Sequence, residues 1–193
     1  MDTTGYVKKQ TLTLAVIAAL ILGFLGGVIY SVYRTPTGDG PAPAANQQHA
    51  AETITALEKA SRDNPTNGQT WVELGHAYFD TGQAKQAIAA YRKALELEPG
   101  NANVMTDLGV MYHQDNQHQQ AIDLFDQVLK LDPKHEQARF NKGVVLLVGF
   151  NDSKQALAEW RTLVGYHPLA AAPSGKPVAD LIEQMEKENQ AKK

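Results

Sequence analysis

Apolar residues fall along this chain in two regimes. From Thr11 to Tyr33 they run for about 23 positions without a charge. At about 1.5 Å rise per residue such a stretch makes about 35 Å of helix, enough to cross a hydrocarbon core of about 30 Å. Lys8 and Lys9 precede it, Arg34 alone and then Asp39 follow, and Tyr6, Tyr30 and Tyr33 stand at its ends. This bias predicts a single-pass anchor with a cytoplasmic amino terminus and the remainder outside. A cleaved signal peptide is the competing reading, since Ala42, Pro43 and Ala44 satisfy the small-residue cleavage rule. The span is longer than the apolar core of about 7–15 residues that such signals carry, and both readings export the same domain. Ala15, Ala19, Gly23 and Gly27 share one face of the span, a small-residue ridge of the kind that lets helices pack in lipid. Residues 34–46 are rich in Pro, Gly, Ala and Thr and read as a semi-extended linker.

Beyond the linker, the apolar pattern is helical and repeats. Gly75, Gly109 and Gly143 are spaced 34 apart, as are Trp71, Met105 and Arg139. Tyr78 and Tyr112 align with Leu146, and Tyr91 and Phe125 with Trp160. Ala87 and Ala121 are followed by Ala156 one residue late, which places a single insertion in the turn VGFNDS. Each unit predicts two helices. Its Gly and Ala allow close helix approach, its aromatic fills the space between successive units, and Pro99, Pro133 or Pro168 ends the second helix. Pro65, Leu57 and Ala60 lie 34 before Pro99, Tyr91 and Ala94, so an unaccompanied second helix leads the array. Ile54 and Leu57 on that helix are expected either to pack inward or to cover a partner. Val178, Leu181, Ile182 and Met185 follow i, i+3, i+4, i+7 spacing and predict a terminal capping helix.

These positions resemble the tetratricopeptide repeat family over Gly68 to Pro168. Trp71, Leu74, Gly75, Tyr78, Ala87, Tyr91, Ala94 and Pro99 fill its signature in the first unit. The third unit departs most, with Lys142 where Leu is usual. The resemblance implies an all-α fold, a right-handed superhelix of three repeats with a leading half-repeat helix and a carboxyl-terminal cap, added to one transmembrane helix. The expected boundaries are a cytoplasmic segment 1–10, a span 11–33, a linker 34–46 and a repeat domain 47–193. Within that domain the half-repeat covers 47–67, the repeats 68–101, 102–135 and 136–169, and the cap 177–190.

The family binds ligands on the surface lined by its first helices. Carried over, this groove holds Val72, His76 and Phe79 in the first unit. The second contributes Thr106, Asp107, Val110 and His113, and the third Phe140, Asn141, Val144 and Leu147. Members that clamp a peptide's terminal carboxylate use Lys, Asn and Arg here. Val72, His76, Asp107, Gln137 and Asn141 occupy those places, so an acidic carboxyl-terminal peptide is a poor ligand. The groove instead offers an acidic, His-containing entrance and an apolar far end suited to an amphipathic or extended apolar segment. The far end has a second reading, since GVVLLVGF is apolar all round and suits a helix buried under the cap.

Composition narrows the function. Formal net charge is -3, and the part from Asn46 onward holds 15 Lys+Arg against 19 Asp+Glu. A nucleic-acid binder needs the opposite balance. Cysteine is absent, which removes disulfides, thiolate metal sites and covalent haem attachment by the chain itself. The six histidines show no metal-ligand spacing, although His76 and His113 are expected near one another on the groove. No catalytic constellation, metal site or cofactor is expected, and no small-molecule substrate. The expected function is a membrane-anchored, non-catalytic scaffold for protein partners in an envelope or membrane complex, at the bacterial cytoplasmic membrane with its repeats outside. Two alternatives stand beside it. One is an apocytochrome-binding chaperone, which the arrangement resembles in cytochrome c maturation; the other is a constitutive subunit of a respiratory or envelope assembly.

Overall fold

The computed structural model describes residues 43–191. The expected span 11–33 and its ridge of Ala15, Ala19, Gly23 and Gly27 lie outside the described residues. Among the described residues no helix is long and apolar enough to cross a membrane. Eight helices follow one another there: α1 (Pro43–Asp63), α2 (Gly68–Asp80), α3 (Ala84–Leu97), α4 (Ala102–Gln114), α5 (His118–Leu131), α6 (Glu136–Val148), α7 (Ser153–Tyr166) and α8 (Val178–Ala191). Because α1 begins at Pro43, residues 43–46 are helical and not part of an extended linker. Proline at the first turn of a helix removes only an N–H that has no helical partner.

The 34-residue period is written into the helix ends. Asn67, Asn101 and His135 cap α2, α4 and α6, each accepting a backbone N–H three residues on, from Thr70, Val104 and Ala138. Such a cap contributes about 1 kcal/mol. Trp71 and Arg139 look unrelated, yet each donates to a proline carbonyl six residues back. Trp71 Nε1 lies 3.0 Å from Pro65 O and an Arg139 guanidinium nitrogen 2.8 Å from Pro133 O. The α2–α3 and α4–α5 turns turn the chain with Gly82 and Asn116 at positive φ. The α6–α7 turn is one residue longer, as the insertion in VGFNDS requires, and uses Asn151 in the same way.

Inside each unit the two helices meet at the glycine. A Cβ added at Gly109 would lie 2.6 Å from Phe125 Cε1, and Gly75 and Gly143 are closed off in the same way by Tyr91 and Trp160. The aromatic therefore stacks on the glycine of its own unit. That corrects the expectation that it mainly fills the gap between successive units. Tyr91 and Phe125 are 0% exposed and Trp160 3%.

Three core clusters succeed one another along the stack. The first runs from α2 to α4, the second from α4 to α7, and the third joins α7 to α8. Ile54 and Leu57 of α1 pack half-buried on the first cluster, so they face inward. Tyr78 fastens α1 further, its hydroxyl donating to Glu58 at 2.6 Å. Between units α4 also touches α6, whereas α3 and α5 make no comparable contact, nor do α5 and α7. The first helices of the second and third units thus lean together, while α2 and α4 approach through the His76–Asp107 pair.

Lys142 of α6 replaces the leucine that is buried at Leu74 and Leu108. It does so by joining an ion cluster: Lys142 Nζ lies 2.7 Å from Asp126 and 2.6 Å from Glu159, whose other oxygen is 2.8 Å from Arg139. Burial alone would lower the Lys142 ammonium, but its bonds to Asp126 and Glu159 more than reverse this and raise it.

Candidate partner-binding face

The inner face is built by α2, α4 and α6, and at its leading end by α1. A shallow groove of about 630 Å³ lies between α1 and α2, with Ala50, Thr53 and Leu57 on one wall and Glu73, His76 and Asp80 on the other. Neither Lys nor Arg lines it. Across the next joint, His76 Nε2 of α2 stands 3.3 Å from the Asp107 carboxylate of α4. Burial holds Asp107 above the usual carboxylate range, even though His76 pulls it down.

Eight of the eleven expected groove residues separate into three groups. His76 and Asp107 meet and remain accessible at the entrance. Val72, Phe79 and Val110 are half-buried on the first core cluster, and Val110 also on the second. Phe140, Val144 and Leu147 pack half-buried on the third cluster, under the cap, with the Phe140 ring stacked 5.7 Å from that of Trp160. Of the two readings of GVVLLVGF, the half-buried packing on the third cluster, built by α7 and α8, supports the core reading. Substituting Phe140 or Leu147 would therefore disturb the fold together with any binding.

Thr106 leaves the groove altogether. It is 0% exposed and its hydroxyl donates to Ala102 O at 2.8 Å, so no ligand reaches it. Asn141 is half-buried on α6. His113 does not meet His76; its Nδ1 lies 3.0 Å from Nδ1 of His118, whose ring is in turn edge-on to Phe150 at 6.2 Å. Among the described residues no three His, Asp or Glu side chains are grouped to hold a metal ion.

The His113 pair has a consequence for stability. Burial, aided by His118, pushes the His113 imidazole down to about 4. Its folded value then lies below the unfolded value of about 6.5, so the contribution is whole above about pH 6.5 and is lost as pH falls towards about 4. Asp107, raised by burial, acts in the opposite sense, so a difference measurement isolates the histidine. The thermal midpoint of the full chain is expected to fall between about pH 7 and about pH 4.5, and to fall less in His113→Gln. Equal falls in the two proteins would contradict this.

Sequence reasoning missed the Arg139–Glu159–Lys142–Asp126 cluster, whose only trace is a lysine at a leucine position. It also missed the Tyr91 hydroxyl, because it treated that residue as an aromatic filler.

A stack of two-helix units whose first helices line one face is a tetratricopeptide-repeat solenoid, a class of protein-interaction modules that is in general non-catalytic. The chain belongs to the family described as the cytochrome c-type biogenesis protein H TPR domain, which it matches over residues 37–168. No curated protein matches it. Among solved structures it is similar to MamA, at 22% identity and a TM-score of 0.59, over 69% of this chain and 77% of that one. The TPR domain of Arabidopsis OM64 is 20% identical at a TM-score of 0.56, over 63% of this chain and 95% of the other. YrrB, described as a TPR protein with an unusual peptide-binding site, is 19% identical at a TM-score of 0.54, over 64% and 63%. At these identities the likeness is one of fold.

Proposed function

We propose that this chain is a non-catalytic holder of apocytochrome in cytochrome c maturation, keeping an unfolded polypeptide on the face of α2, α4 and α6 while haem is attached by other proteins. The observation that carries this reading is the family match over residues 37–168. It favours the apocytochrome reading over a general envelope adaptor or a constitutive subunit. In this proposal residues 11–33 anchor the chain in the bacterial cytoplasmic membrane, with the repeats outside. The ridge of Ala15, Ala19, Gly23 and Gly27 offers a packing face to another membrane helix. The groove beside α1 adds support, because it is open and its walls carry Glu73 and Asp80 with no Lys or Arg. A chain with no cysteine can also hold a cysteine-bearing substrate without forming mixed disulfides.

Capture of a peptide carrying the Cys-x-x-Cys-His haem-attachment motif, measured on the full chain in mild detergent, tests the reading. Binding at about micromolar Kd is expected, about -8 kcal/mol. No binding in that range, together with stable co-purification of the chain in a larger assembly, would favour the structural-subunit reading instead.

A further inference from the structure

The leading unit is incomplete, and the repeat shows what covers the same face elsewhere in the chain. α1 and α3 are both second helices, but only α3 has the first helix of its own unit packed against it. There Ala87, Ala90 and Ala94 are at most 2% exposed. Thr53, Ala56 and Ala60 lie 34 residues earlier on α1, and all three are exposed. Leu57, in the place of Tyr91, is half-buried. The groove of about 630 Å³ between α1 and α2 runs over this bare face, with Thr53, Ala56 and Leu57 in its wall. It is the seat that a first helix fills in the complete units, and among the described residues no helix occupies it.

The joint between α2 and α4 shows how one first helix meets the next. Gly75 of α2 lies on the Tyr91 ring of α3, and the following residue, His76, reaches Asp107 of α4 at 3.3 Å. Glu73 is the counterpart of Asp107 on α2, 34 residues earlier. It is exposed on the groove wall, and its hydrogen bond is to Gln69 of its own helix. Asp80 shares that wall, and neither Lys nor Arg lines the groove. A helix entering the seat in the register of α2 meets Leu57 with one residue and Glu73 with the next. Because Leu57 is smaller than the ring it replaces, the residue opposite it need not be glycine.

We propose that the groove between α1 and α2 receives an amphipathic helix of a folded partner protein, which completes the leading unit. That helix carries an apolar residue against Leu57 and, directly after it, a Lys or Arg that donates to the Glu73 carboxylate. A further apolar residue follows three or four positions on, as Phe79 follows Gly75. The acidic wall selects the cation, since a like charge there is repelled. A folded partner presents its helix ready made, whereas a loose polypeptide would have to nucleate one on docking. The seat fills independently of what the rest of the inner face captures. Replacing Glu73 loosens the partner helix and leaves that position open to the captured polypeptide.

The probe is a stapled helix with the sequence of residues 67–81, a first helix of this chain, carrying Gly75→Ala and His76→Lys. An anionic counterpart carries Gly75→Ala and His76→Glu. Binding to the full chain in mild detergent is read by fluorescence anisotropy. The parent is expected to bind the cationic probe about tenfold more tightly than the anionic one, and Glu73→Lys is expected to reverse that order. Ala56→Arg, at an exposed position, is expected to close the seat to both probes while the thermal midpoint stays within about 2 °C. Equal binding of the two probes by the parent overturns the cation contact. Binding of neither probe, or unaltered binding by Ala56→Arg, overturns the seat. A parent dimer that Ala56→Arg splits into monomers gives the seat to a second copy and overturns the partner helix. Mutual displacement of the cationic probe and haem-free cytochrome c polypeptide gives it to the captured chain and overturns the folded partner. A parent that binds the cationic probe but not that polypeptide upholds the seat and overturns capture.

Discussion

Phe125→Ala is expected to destabilise the repeat domain by about 3–5 kcal/mol. The ring is 0% exposed, lies at the centre of the second core cluster, and covers the backbone of α4 at Gly109. Its removal leaves a cavity that cannot close, because the glycine opposite has no side chain to swing into it. The second cluster is also the joint between the units on either side. In a solenoid, stability is roughly the sum of unit terms and neighbour terms. The variant should therefore lose cooperativity as well as stability, with the α1–α3 end and the α6–α8 end melting apart. Circular dichroism in urea would show a lower midpoint and a shallower transition. Leu131→Ala is the control: that side chain is 62% exposed, and the change is expected to stay within about 0.5 kcal/mol. Similar midpoints for the two variants would contradict the assigned core.

The second large effect is an asymmetry within the ion cluster of the third unit. Glu159 uses one oxygen for Arg139 and the other for Lys142. Glu159→Leu leaves two largely buried cations with only the half-exposed Asp126 between them. Breaking a buried pair costs about 3–5 kcal/mol; Asp126 and the solvent beside it reduce the expected loss to about 2 kcal/mol. Lys142→Leu removes the other side and restores the apolar residue found at Leu74 and Leu108. Glu159 then keeps Arg139, so the change is expected to lie within about 1 kcal/mol of neutral. The double variant should recover most of what Glu159→Leu loses, a coupling that a thermal double-mutant cycle reads directly. Equal losses for the two single variants would mean that the cluster is only surface charge.

The contrast between these sites explains what the sequence could tell. Gly109, Phe125 and their counterparts were legible because the chemistry demands a missing Cβ opposite a flat ring, and few residues supply it. The turn insertion in VGFNDS was legible because it moves Ala156 by one place. The surface was harder to read. Periodicity assigns a residue to a face of its own helix and is silent on how far the neighbouring helix leans over it. Thr106 carried the right spacing for the groove, yet the approach of neighbouring helices seals it. Phe140, Val144 and Leu147 are half covered by the third core cluster for the same reason. His113 turns to His118, which only the geometry of the α4–α5 turn brings within reach. The Tyr91 hydroxyl leaves no trace in a pattern that accepts Tyr, Phe and Trp alike.

The central claim is that a polypeptide is held on the side of α2, α4 and α6. A photo-cross-linking residue placed at Glu73, exposed on the groove wall, samples that side, and one at Gln127, exposed on α5, samples the other. Irradiated with haem-free cytochrome c polypeptide in native membranes, the chain should form a covalent adduct from position 73 and none from position 127. An adduct from 127 alone, or from neither, would contradict the account.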